Sequence, residues 1–174
     1  MRYKDTIQLH GVLSVTVFET KNGYKEKLFR HTKRNQVTDL GREVVLSLLM
    51  QDPAGDIYQA NPEYNQIWYL ALGDGTTPPD RTDTALGNQL WIDPIARPAE
   101  YTLTYNPLWE IKIDKILPAG DLPNNFVSEA ALFTKGDGIG GSSRMYARQT
   151  HAIVATTPTM IIEYEWRLGV TIQI

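Results

Sequence analysis

The apolar positions at the end of the chain, Met160, Ile162, Tyr164, Trp166, Leu168, Val170, Ile172 and Ile174, fall on even numbers, with Glu163, Glu165, Arg167, Thr171 and Gln173 between them. A two-residue period of that kind is a strand with one buried face. At about 3.3 Å per residue the strand would run roughly 50 Å, enough to span a whole sheet or to extend to a neighbour. The N-terminal segment repeats the pattern from Thr6 to Glu19, with Leu9, Leu13, Val15 and Val17 on one parity. Asn22-Gly23, the dipeptide that accepts positive φ most readily, then predicts a hairpin into a second extended run, Tyr24 to Thr32.

The period changes at Thr38. Leu40, Val44 and Leu48 recur every four residues, widened by Val45 and Leu49, which predicts one helix over about 39–51 with Thr38 as N-cap and Asp52-Pro53 as its stop. Residues 53–65 read as a loop, Gln66 to Leu72 as a short buried strand, and 73–90 as a Pro, Gly, Asp and Thr-rich loop in which Thr82 or Asp83 caps one helical turn ahead of Ala85 and Leu86. Tyr101 to Tyr105, Leu108 to Ile116, Phe126 to Thr134 and Arg144 to Thr150 are further extended segments, and 136–143 is a glycine-rich turn. Seven or eight strands and one covering helix predict a mainly β fold, an antiparallel β-sandwich with long loops.

Of the 174 residues 42% are hydrophobic and 21% charged, which places the chain among ordinary globular domains and predicts a single domain over 1–174. Cysteine is absent, so disulfides, zinc–thiolate sites and cysteine nucleophiles are excluded together. The net charge is -3, and the short basic run Arg30, His31, Lys33, Arg34 reads as a solvated loop, so nucleic acid is not an expected partner. The N-terminus alternates where a signal peptide would be continuously apolar, and no run approaches the roughly 18 apolar residues of a membrane helix; membrane insertion is not expected.

Candidate chemistry is thin. His10, His31 and His151 fall in separate elements without ligand spacing, no G-x-S-x-G elbow is present, and the glycines of 136–141 lack the Lys-Ser/Thr of a phosphate loop. Asp74, Asp80 and Asp83 could gather a hard cation, but their Gly and Thr neighbours favour Asx-turns and caps. Glu163 and Glu165 could mimic a glycosidase pair, yet alternating charges are what the solvent face of a strand shows. We therefore expect no catalytic, metal or cofactor site. Aromatic residues in or beside the loops, Tyr58, Tyr64, Trp91 and Tyr105, suit a protein interface or a sugar site as well as the core.

The segment QIWYLALGDGTTPPDRTDTALGNQL, residues 66–90, resembles a motif of small tail-fibre and baseplate-associated proteins of bacteriophage particles: a strand ending in an "LGDGT" turn, a Pro- and Asp/Thr-rich loop, and a short "TALGNEL" helix. NQVTDLGREVVLSLL at 35–49 resembles the "N-x-V-T-x-x-G" helix before it, and NNFVSEAALFTKGDG at 124–138 the "I-x-E-x-G-L-F" strand after it. Ala131 stands where that pattern has glycine, which puts a local turn there in doubt. The resemblance implies a non-enzymatic structural component of the virion, assembled in the host cytoplasm, at the tail, baseplate or fibre attachment. A head decoration or collar protein and a receptor- or carbohydrate-binding module of the tail are the alternatives, and a hydrolase is more distant. Expected partners are other virion proteins and further copies of the chain in a homo-oligomer. Loops 53–65 and 74–89 are the expected contacts, with Tyr58, Tyr64, Asp74, Thr76, Pro78 and Trp91 as interface residues.

Overall fold

A computed structural model describes residues 6–42, 66–96, 99–105, 109–135 and 144–173. Ten strands follow one another: β1 (Thr6–Lys21), β2 (Tyr24–Arg34), β3 (Gln36–Val37), β4 (Ile67–Gly73), β5 (Gln89–Pro94), β6 (Tyr101–Tyr105), β7 (Trp109–Leu117), β8 (Phe126–Thr134), β9 (Met145–Ala155) and β10 (Met160–Gln173). They form two five-stranded sheets, β2-β1-β10-β7-β6 and β3-β9-β8-β4-β5. The fold is mainly β and antiparallel with a short helical stretch, in keeping with the β-sandwich class that the patterning predicts. The chain divides into two compact units, each built from non-contiguous segments: 1–35, 95–126 and 151–174 in one, and 36–94 and 127–150 in the other.

In the first unit the alternation decides which side of the sheet is buried. β1 and β10 pair along nearly their whole length, from Thr6 opposite Gln173 to Glu19 opposite Met160. β7 lies on the other side of β10, so apolar residues line up in rows across three strands: Leu13–Trp166–Ile113 and Val17–Ile162–Leu117, all buried. The row between them, Val15–Tyr164–Lys115, ends on a buried lysine, whose ammonium is held by both oxygens of Glu100 at 3.0 and 2.9 Å. The reverse face carries Thr16, Glu163, Glu165, Asp114, Lys112 and Arg167, so period two sorts charge from oil residue by residue. The hairpin between β1 and β2 turns at Asn22 (φ 51°) and Gly23 (φ 79°), the left-handed pair that the sequence announces.

The second unit is organised by β8, which is buried from Val127 to Thr134 on both faces, as befits the middle strand of its sheet. Ala71, Leu86, Ala131, Phe133 and Met145 make a small core against which Tyr69 packs.

Several expectations are corrected. The basic run Arg30 to Arg34 is not a loop but the end of β2, its regular pairing with β1 setting Arg30 opposite Thr16. Residues 82–88 form no helical turn, so neither the cap at Thr82 or Asp83 nor the "TALGNEL" helix exists. Ala131 sits inside β8 opposite Ala71, where there is no turn. β3 and β5 are additional strands. Thr38 does cap a helical stretch beginning at Asp39; the remainder of the expected helix, the 53–65 loop and the 136–143 turn lie outside the described residues.

Candidate functional site: a loop clamped on a buried ion pair

The residues that chemistry singles out lie on the second unit. Glu129 is the one carboxylate in the apolar run of β8, and it is completely buried (0% exposed). A buried carboxylate must find donors or give up its charge. Glu129 finds them in the 73–90 loop and in β9. Its Oε1 accepts the amides of Gly75 (2.9 Å) and Gly87 (2.8 Å), with Asn88 N–H more distant at 3.4 Å. Its Oε2 accepts Arg148 Nε–H at 2.8 Å and lies 2.7 Å from Nη2, an ion pair on one oxygen with a guanidinium that is itself only 3% exposed.

Arg148 carries the clamp to the far side of the loop. Nη1 donates to Asp83 Oδ2 at 2.7 Å and Nη2 to the Thr77 carbonyl at 3.2 Å. Asp83 Oδ2 also accepts the amide of Asp80 (2.8 Å), and Asp80 Oδ1 accepts both the amide and the hydroxyl of Thr82 (2.9 and 2.7 Å). Those Thr82 bonds, side chain first, hold the exposed Asp80 carboxyl below its ordinary pKa. The Asp80 and Asp83 carboxylates are thus spent on turn geometry, as their neighbours suggest, and Asp74 accepts the Asn88 side-chain amide at 3.2 Å. Among the described residues no three metal-ligating side chains converge.

The glycines of the loop follow from the same carboxylate. A Cβ at Gly75 would lie 2.4 Å from Glu129 Oε1, and one at Gly73 would lie 2.6 Å from it and 2.4 Å from the Asn88 carbonyl. Only a residue without a side chain brings the backbone close enough to donate.

The start of the helical stretch joins this assembly. Thr38 Oγ1 accepts the amide of Gly41 (3.0 Å) and donates to the Met145 carbonyl (2.5 Å), while its own amide donates to the Tyr146 carbonyl (3.1 Å). A Cβ on Gly41 would strike that Tyr146 carbonyl oxygen at 2.1 Å. Asp39 N–H donates to the Arg81 carbonyl at 2.7 Å, tying helix start to loop. Glu129 stands in the sequence only within the 124–138 block, and Arg148 belongs to no motif. The signal was a lone carboxylate in an otherwise uncharged strand.

Of the expected interface residues, Asp74, Thr76 and Pro78 are exposed together on the clamped loop, and Trp91 is half-buried on β5 opposite Leu72. Tyr58 and Tyr64 lie outside the described residues, and Tyr105 ends β6.

A concavity of about 420 Å³ lies on the charged face of the first sheet, with Thr16, Phe18, Lys27, Arg30, Glu163 and Glu165 among its lining residues. Its volume suits a small ligand, but its two glutamates are already paired. Glu163 pairs with Lys25, and Glu165 with Arg167 (3.0 Å), Lys112 (3.5 Å) and Arg30 (3.6 Å). Burial alone would raise the Glu165 carboxyl; the Arg167 hydrogen bond and the charges of Arg167 and Lys112 outweigh it and hold it below the usual glutamate value. Lys25 Nζ stands 4.0 Å from the centre of the Phe18 ring, over the face on which a sugar would stack.

Comparison with protein-family models, with curated proteins and with solved structures finds no match for this chain.

Proposed function

We propose that this chain is a non-enzymatic structural protein of a bacteriophage particle, a tail, baseplate or fibre-attachment component that works through protein–protein interfaces. The observation that carries the reading is that three sequence blocks, short and separate along the chain, are tied together in space: two meet on one carboxylate, and the third is bonded to the loop through Asp39 and Arg81. The 35–41 block supplies Thr38 and Gly41, the 73–90 block supplies its glycines and Asp83, and the 124–134 block supplies Glu129. What they make together is an exposed loop with a fixed shape. Glu129 and Arg148 are held by each other, by the Asp83 carboxylate and by loop backbone, so their work is positional. A loop ordered before it meets its partner loses little entropy on docking, which favours a rigid contact surface in an assembly. Asp74, Thr76 and Pro78 are the side chains this loop presents.

Cross-linking mass spectrometry on purified particles containing this protein tests the reading. Links from the 74–89 loop to tail-tube, baseplate or fibre proteins at low copy number are the expected result. Links to the major capsid protein at high copy number would transfer the protein to the head, and absence from the particle would overturn a virion role altogether.

A further inference from the structure

The two sheets have four edge strands, and three of them are guarded. β2 carries Lys25, Glu26, Lys27, Arg30, Lys33 and Arg34; β3 is two residues long; β5 ends in Asp93-Pro94. Charge, shortness and proline are the devices that keep an edge from pairing with another chain. β6 carries neither charge nor proline. Its residues, Tyr101-Thr102-Leu103-Thr104-Tyr105, are uncharged strand formers, and no described strand pairs with its outer side.

Its backbone is set for a partner. The amide of Asp114 donates to the Glu100 carbonyl at 3.0 Å, two residues before Thr102 in the register that places Thr102 opposite Lys112 and Leu103 opposite Ile111. Hydrogen-bonded pairs alternate along an antiparallel ladder, so Thr102 bonds toward β7 while the N–H and C=O of Leu103 point outward. The apolar face is unfinished at the same place. Leu168, Ile111 and Leu103 form one row across β10, β7 and β6, and exposure climbs from 5% at Leu168 to 53% at Leu103.

We propose that β6 pairs antiparallel with β6 of a second copy of this chain, about a two-fold axis at Leu103. The strand reads the same in both directions, so this register sets Leu103 against Leu103 and each Thr102 against Thr104 of the other copy. A two-fold interface must be self-complementary in this way. Both leucines fall on the same face, and the row Leu168–Ile111–Leu103 continues into its copy. Five residues a side is far below the roughly 1,200–2,000 Å² of a stable interface, so the pairing is weak for the free protein and takes hold where copies are concentrated. The inference rests on the self-association part of the virion reading and not on a place in the particle.

The absence of cysteine makes a direct test possible. The Cα atoms of a hydrogen-bonded antiparallel pair stand about 5.5 Å apart, inside the range a disulfide spans. Leu103→Cys in the full-length protein, under mild oxidation, is expected to form a disulfide dimer at least ten times faster than Thr32→Cys on the β2 edge. Sedimentation of the cysteine-free protein should show reversible dimers at high concentration that Leu103→Lys abolishes, with an unchanged circular dichroism spectrum. Equal cross-linking rates for the two cysteines, or dimers that persist in Leu103→Lys, would overturn the proposal. Either result stands apart from where cross-links place the protein in a particle.

Discussion

Glu129 is an ion removed from water, a state that costs several kcal/mol unless its partners restore what hydration supplied. Here two loop amides and a guanidinium do so, and each such charge-assisted bond contributes about 1.5–3 kcal/mol. Truncating one partner strands the other, so Arg148→Met should lower unfolding free energy by about 3–5 kcal/mol in urea titration. The double variant Glu129→Leu/Arg148→Met should recover part of that stability while the Gly75 and Gly87 amides lose hydrogen-exchange protection. A loss under about 1 kcal/mol in Arg148→Met would mean the loop does not depend on the clamp. Two tyrosines give a second test at this scale. Burial pushes the Tyr146 phenol up to about 12 and raises that of Tyr164, whose hydroxyl is buried without a hydrogen-bond partner. An unfolded tyrosine ionises near pH 10, so above that pH the unfolded chain sheds protons that the folded protein retains. Stability from this source is therefore full below about pH 10 and falls as pH rises toward about 12. Tyr146→Phe with Tyr164→Phe should flatten that decline in melting temperature without loss at neutral pH, since the hydroxyl removed at 164 has no bond to give up. An identical alkaline decline would refute the assignment.

At the scale of elements, the N-cap of the helical stretch is the most exposed to a single change. Thr38→Ala removes the acceptor for Gly41 N–H and the donor to the Met145 carbonyl, and should cost about 1–2 kcal/mol in thermal or chemical unfolding. Thr38→Ser should restore most of it; equal losses in the two variants would mean the methyl group, not the hydroxyl, matters there. This cap was legible in the sequence, because capping is decided within four residues. So were β1, β7, β8 and β10, whose one-sided or largely apolar patterns reflect burial directly, and the start of β2, announced by the Asn22-Gly23 turn rather than by its own exposed and charged pattern. β5 was hidden because it follows a segment dense in turn residues, pairs on one side only and ends in proline. Residues 84–88 failed as a helix for a reason no local pattern contains. The amides of Gly87 and Asn88 reach Glu129, more than 40 positions along the chain. The clamp was illegible for the same reason: a lone carboxylate in a strand hints at a partner, but only the fold shows that the partners are a glycine loop and an arginine on β9.

The whole molecule folds by long-range pairing. Thr6 lies opposite Gln173, and β10 is the central strand of the first sheet, so that sheet cannot form until nearly the entire chain is present. Such topologies fold slowly, because loop closure is paid before distant contacts reward it. The two units are also bound covalently in a way that resists separate melting. β9 contributes Met145–Thr150 to one and His151–Ala155 to the other, and the first unit is assembled from three separate stretches of chain. Loosening either unit therefore frees strand ends that the other requires. Calorimetry should show one transition, with calorimetric and van't Hoff enthalpies in a ratio near 1. Ending the chain at Thr159 deletes β10 and leaves β1 and β7 with no strand between them. That truncation should abolish the cooperative transition entirely rather than halve it. If instead a cooperative transition survives in the truncated chain, with Gly75 and Gly87 amides still protected, the clamped unit is a domain that folds by itself, and its loop could be carried as an independent docking module.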